Sequence, residues 1–145
     1  MKDFEEFLIE GVVVRISKDL QRAKSLALES ERKFNSLKEQ IEKIGIRDDN
    51  ANDFVENCYD IIMYLIRAKL FVEGFASSGK GAHEAEVAYL RRLGISESQI
   101  KMVDDLRYYR NGILYYGKRF DKEYAENVVD FTKKLFVVLK KFLAF

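Results

Sequence analysis

The chain has 145 residues, of which 48% are hydrophobic and 34% charged, with 25 Lys and Arg against 24 Asp and Glu. That balance excludes a disordered chain, and a net charge of +1 supplies no global field to draw in nucleic acid or an anionic membrane, so any affinity for phosphate has to come from a local patch. One Cys and one His exclude an internal disulfide and a Cys/His zinc site, fit a reducing cytoplasm, and call for no metal or cofactor.

At this length residues 1–145 are expected to form a single domain around one core. The absence of Pro, with only eight Gly, favours long uninterrupted helices. The first residues are acidic and lack the apolar run of a secretory signal, and no stretch reaches the ~20 apolar residues of a membrane helix. The most apolar segment, 61–75, is interrupted by Arg67, Lys69 and Glu73.

Taken in order, residues 3–10 predict a short helix ended by Gly11. The β-branched run 12–16 follows, expected as an extended lead-in with nothing later to pair with it. Ser17 is the expected N-cap of a long helix to about Ile44, with a seam at Leu20, Ala23, Ala27, Phe34, Leu37, Ile41 and Ile44 that only Ser30 breaks. Asp48-Asp-Asn-Ala-Asn-Asp53 resembles the start of a calcium loop. The Gly expected at its sixth position is Asp53 and the Glu at its twelfth is Tyr59, so it reads as an acidic turn capping the next helix.

That helix, from Asn52 or Asp53 to about Phe75, is apolar on most sides and should be the buried centre, with Cys58 a small core residue. Gly74-Phe-Ala-Ser-Ser-Gly-Lys-Gly81 nearly spells a phosphate-cradling GxxxxGK[ST] loop. Gly81 replaces the magnesium-binding hydroxyl and a helix precedes the loop, so the expectation is a flexible connection. A shorter helix over 82–93, stopped by Gly94, carries the lone His83, expected to be a structural hydrogen-bonding residue. The final helix should start with Asp121 as N-cap and run to the last residue, with a seam at Tyr124, Val128, Phe131, Leu135, Val138, Phe142 and Phe145. Lys133, Lys134, Lys140 and Lys141 then form a solvated face.

Between these two lies the most informative stretch, residues 104–119. It holds four of the eight Tyr, and from Arg107 to Arg119 it has four cations and no acid. Ser96 with Gln99 makes a capping-box start and Gly117 a helix stop. Apolar Ile100, Val103, Leu106, Ile113 and Leu114 can face a core, leaving Arg107, Arg110, Asn111 and Tyr115 unexplained. Gly112 costs such a helix about 1 kcal/mol relative to Ala, which makes sense where another backbone or a ligand comes close. Four substantial helices, with a short N-terminal helix and one additional short helix, predict an all-α, antiparallel up-and-down four-helix bundle.

The order of these features resembles the HEPN-domain family, small helical partners of minimal nucleotidyltransferases. The resemblance spans the lead-in 4–16, the charged heptad helix, the Tyr-bearing helix Cys58-Tyr-Asp-Ile-Ile-Met-Tyr-Leu-Ile-Arg-Ala-Lys-Leu70, the helix start Gly81-Ala-His-Glu84, and Leu106-Arg-Tyr-Tyr-Arg-Asn-Gly-Ile-Leu-Tyr-Tyr-Gly117. The family signature is Arg, often followed by Asn or another polar residue, with His about five positions after the Arg. Arg110 and Asn111 match its first half, and Tyr115 stands at the His position with Tyr116 beside it. The resemblance implies a metal-independent ribonuclease site in which His moves the 2′-OH proton and Arg stabilises the phosphate. It also implies a homodimer whose two motifs face one another. Residues five apart on one helix point ~140° apart, so a site using both is easier to build between two helices.

A phenol, with pKa about 10, is a poor general base at neutral pH, and losing His from that role forfeits roughly 10²–10⁴-fold in rate. Arg110 would still bind phosphate bidentately, and the Tyr rings could stack on bases. The expectation is therefore a homodimeric module that binds RNA, a nucleotide or a minimal nucleotidyltransferase. Arg110, Asn111 and Tyr115 form its degenerate catalytic motif, and Arg107, Tyr108 and Tyr116 are ligand contacts. Two alternatives stand beside it. One is a working endoribonuclease toxin of a toxin–antitoxin pair, neutralised by modification of a Tyr, with Tyr116 the nearest candidate. The other is a structural interaction bundle with Arg110 as an interface ion-pairing residue.

Overall fold

A computed structural model describes the backbone of residues 1–145 and every side chain except those of Leu114 and Tyr115. In chain order the elements are α1 (Phe4–Ile9), β1 (Val13–Arg15), α2 (Leu20–Lys43), α3 (Ala51–Glu73), β2 (Phe75–Ser77), α4 (Ala82–Ala88) continued by a 3₁₀ turn (Tyr89–Leu93), α5 (Glu97–Tyr116) and α6 (Lys122–Lys141). The fold is therefore helical apart from one two-stranded ribbon. No helix among the described residues is long and apolar enough to cross a membrane.

The all-round apolar sequence of α3 makes it the element on which the others pack. It lies along α2 and α6 and touches α5 and α4. Phe54, Val55, Cys58, Ile61, Ile62, Leu65, Ile66 and Leu70 are all buried. On α2 the face toward α3 is Ala23, Ala27, Ser30, Phe34 and Leu37, with the outer seam positions Leu20 and Ile44 left exposed. Ser30, the break in that seam, is buried because its hydroxyl donates to the Ile61 carbonyl at 2.7 Å. Its polar group is therefore satisfied inside the core, as burial requires.

Several local expectations need correction. The run at 12–16 does find a partner: β1 pairs antiparallel with β2, Val13 opposite Ser77 and Arg15 opposite Phe75. The segment after α3 is thus half strand rather than a flexible connection. Asp19, not Ser17, caps α2, accepting from the Arg22 amide at 3.0 Å. The acidic turn at 48–53 serves the start of α6 more than that of α3. Asp48 accepts from the Lys122 amide at 2.7 Å, and Asn52 accepts from the Phe120 amide and donates to the Lys118 carbonyl. The Asn50 N-cap of α3 makes no side-chain capping bond.

The buried face of α6 is Ala125, Val128, Val129, Thr132, Leu135, Phe136 and Leu139, rotated from the expected seam. Tyr124, Phe131, Val138 and Phe142 are only partly buried, Phe145 is exposed, and the helix stops at Lys141. The small Ala125 and Thr132 are the reason. They let α6 approach α3 closely, and Thr132 returns its hydroxyl to the Val128 carbonyl at 2.8 Å, so it needs no outside partner.

Candidate functional site

Helix α5 starts and stops as its sequence dictates. The Ser96 hydroxyl accepts from the Gln99 amide, the Gln99 side chain returns to Ser96, and Gly117 takes the left-handed conformation at the C-cap. Ile100, Val103 and Leu106 are buried and fix the rotation of the helix. That rotation turns Arg107, Arg110 and Asn111 toward α3 and α4.

Arg110 is held by two neighbours on α3. Its guanidinium lies over the Tyr59 ring, 5.3 Å from the centroid, and Nη2 is 3.5 Å from Asp60 Oδ1. The side chain is 27% exposed, yet Nε is buried and has no hydrogen-bond partner among the described residues. The pairing is loose, for Asp60 is shared with Lys33 of α2 at 4.0 Å. A guanidinium carries five donors in a fixed fork, so Arg110 keeps capacity for an outside acceptor.

Tyr59 connects this arginine to the lone histidine. Its hydroxyl lies 3.4 Å from His83 Nδ1, the contact that the sequence did not place. Burial, together with the charge of Glu86, outweighs the pull of Arg110 and Arg107 and pushes the Tyr59 phenol up to about 12. At neutral pH Tyr59 therefore keeps its proton, and its hydroxyl and Nδ1 of His83 are placed to share one hydrogen bond.

His83, Arg107 and Asn111 line one wall of a cavity of about 1250 Å³, and Arg110 itself does not. Arg107 is tethered in its own helix to Asp104 at 2.8 Å. Deeper in, Glu86 of α4 is 1% exposed and takes two hydrogen bonds from Arg67, at 2.6 Å from Nε and 3.0 Å from Nη2. Burial works against the Arg67 charge, and the bonds and charge of Glu86 more than offset it, raising its pKa. No group of three His, Cys, Asp or Glu that could hold a metal occurs among the described residues.

The remaining expected residues scatter. Tyr108 is 68% exposed and Tyr116 86% exposed, and neither lines the cavity. The Tyr115 side chain lies outside the described residues. Gly112 shows no close approach among the described residues. A Cβ there would meet only the Lys118 side chain, at an ordinary 3.6 Å.

Sequence reasoning missed Tyr59 and Asp60 as the seat of Arg110, and Arg67 with Glu86 as the buried pair. Two signals were present. Arg67 interrupts the most apolar segment of the chain, and Glu86 sits among the small apolar residues of 85–88. A charge in either setting requires a partner. The chain matches no family model, no curated protein and no solved structure.

Proposed function

We propose that the chain is a HEPN-type module in which α2, α3, α5 and α6 make an antiparallel up-and-down bundle. Two copies pair through α5, and the Arg110 helix binds RNA, a nucleotide or a minimal nucleotidyltransferase with weak or no nuclease activity. One observation carries the binding half. Arg110 is held over Tyr59 with a partly exposed guanidinium whose ion pair to Asp60 is long, at 3.5 Å. A cation oriented by an aromatic face and left short of acceptors suits a phosphate diester or a carboxylate on a partner. The weak-chemistry half rests on the sequence, because Tyr115 stands where the resemblance expects His.

The test is fluorescence anisotropy of a single-stranded RNA with 5′-hydroxyl ends, titrated with protein over a range of salt. Binding that weakens steeply with salt and falls about tenfold or more in Arg110→Ala supports the reading. Binding unchanged by that substitution rejects it. Sedimentation of the same samples reports whether the binding species is a dimer.

A second reading has its own observation. The Tyr59–His83 contact brings an imidazole within one side chain of Arg110, supplying the group that Tyr115 lacks. On this reading the protein is a metal-independent endoribonuclease, the toxin of a pair whose partner modifies exposed Tyr116. RNA cleavage in EDTA, lost in both Arg110→Ala and His83→Gln, would establish it, and an intact substrate after long incubation would leave the binding reading alone.

A further inference from the structure

The large cavity extends well beyond α5, and its other walls are built from the N-terminal segment 2–12, Arg22 of α2, the C-terminal half of α3, and the stretch from β2 through the loop 78–81 into α4. Among the residues lining the whole cavity are five Lys or Arg, at positions 2, 22, 67, 80 and 107, against three Glu, at 10, 84 and 86. Lys2 is tied to Glu10, Arg67 to Glu86, and Arg107 to Asp104. Arg22 and Lys80 have no carboxylate within ion-pairing distance among the described residues. Arg22 instead lies over the Phe71 ring at 4.5 Å. With Arg107 neutralised by Asp104, and Glu84 set against Arg22 and Lys80, the site keeps a net excess of one positive charge, enough to favour an anion such as a phosphate monoester near neutral pH.

The cations are also set in place. Glu86 holds Arg67 through Nε and Nη2, which leaves Nη1 with no partner among the described residues and fixes the plane of the group. A guanidinium fixed in this way loses little freedom on binding an oxoanion. Beside it, the backbone amides of Gly79, Lys80 and Gly81 donate to nothing among the described residues, and Gly79 and Gly81 hold φ of +76° and +87°. Successive amides in such a backbone form a concavity that receives anions. The departures that remove this loop from the magnesium–nucleotide type, Gly81 in place of a hydroxyl and a seven-residue α4, do not affect a metal-free cradle. The remainder of the lining is mixed, with apolar Val12, Leu70, Phe71 and Ala76 beside Ser77, Ser78 and Asn111, and the volume far exceeds a bare phosphate ion.

We infer that this cavity is a binding site for a phosphate monoester carried on an apolar or flat body, held by Arg67, Arg22, Lys80 and the 79–81 amides. The group comes either from a free small molecule or from the terminal phosphate of a nucleic-acid strand. This site does not depend on Arg110, so it stands or falls apart from the reading given above.

The experiment is titration calorimetry on the full chain with phenyl phosphate and AMP, with phenol and adenosine as uncharged counterparts. Alongside these, a short RNA carrying a 5′-phosphate is compared with the same RNA carrying a 5′-hydroxyl. The variants are Lys80→Ala with Arg22→Ala, neither of which breaks an ion pair, and their folding is checked by circular dichroism. A free small-molecule ligand predicts saturable binding of phenyl phosphate or AMP, at least tenfold weaker in the double variant, with no binding of phenol or adenosine. A strand-end ligand predicts that the 5′-phosphate RNA binds at least tenfold tighter than its 5′-hydroxyl form, and that this advantage disappears in the double variant. In both cases Arg110→Ala changes the phosphate-dependent part by less than about twofold, whatever it does to the RNA chain as a whole. Equal binding of charged and uncharged probes, no phosphate-dependent binding in any arm, or a double variant that binds like the parent overturns the inference.

Discussion

Two arginines reach the same central helix region from opposite circumstances. Arg67 grows out of α3 and meets a carboxylate that is 1% exposed, with two bonds of 2.6 and 3.0 Å. Arg110 arrives from α5, sits on an aromatic ring, and shares a partly exposed carboxylate at 3.5 Å with a lysine. The first pair buries a carboxylate that only Arg67 answers, so its removal should damage the fold even though Nη1 of Arg67 stays open to the cavity. The second leaves donors unfilled, so its removal should damage whatever binds there. What separates the two is how deeply the carboxylate each one answers is buried.

The sharpest way to break this contrast is at Arg67. Arg67→Ala strands the Glu86 carboxylate in the core and should cost about 3–5 kcal/mol, read as a drop in the urea midpoint. Arg67→Met with Glu86→Leu removes both charges and should recover most of that loss. A stable Arg67→Ala protein would show that Glu86 reaches water and that the pair is ordinary surface.

Alkaline titration has the next largest effect. Burial pushes the Cys58 thiol from 9.0 to about 12, and burial with the charge of Glu86 pushes the Tyr59 phenol from 10.0 to about 12. The folded chain then keeps protons that the unfolded chain has released. The stability is fully present below pH 9 and is lost as pH rises toward 12, at roughly 1 kcal/mol per pH unit for each group within its window. Tyr59→Phe keeps the ring under Arg110, should cost about 1 kcal/mol at pH 7 through the lost His83 contact, and should flatten the decline above pH 10. An unchanged alkaline slope in that variant would mean the phenol is wet.

At α5 the expected effects are smaller and one has the opposite sign. Gly112→Ala adds a Cβ that meets only Lys118 at 3.6 Å, so it should raise thermal stability by up to about 1 kcal/mol. If a second copy packs there, the same variant should be more stable and less dimeric, which sedimentation would register. Arg110→Ala should change stability by less than about 1 kcal/mol, because its ion pair is long and partly solvated. A large loss would make Arg110 a second structural arginine and erase the contrast.

How much of this was legible beforehand depended on the range of the interaction. The capping box of Ser96 and Gln99, the Asp121 cap and the left-handed glycines at 11, 94 and 117 are written in neighbouring residues, and all are present. The centrality of α3 was likewise readable from its apolar surface. The α6 seam was misread because large side chains were given more weight than Ala125 and Thr132. The smaller residues permit the closer approach and so select the buried face. At the site, Arg110 and Asn111 could be found by motif, but not the partners that give Arg110 its setting.

By itself, then, the sequence determined where α5 begins and ends and where α6 begins, that α3 would be buried, and that α5 would carry an unexplained set of cations. These follow from backbone geometry and periodicity over a few residues. Tertiary structure alone decided that residues 13–15 would pair with 75–77, that Asp48 would cap a helix starting at Lys122, and that Tyr59 would stand between His83 and Arg110. Each joins groups 24 to 74 residues apart, or packs side chains from separate helices, and depends on how whole elements settle against the core. Only that settling decides which donor meets which acceptor.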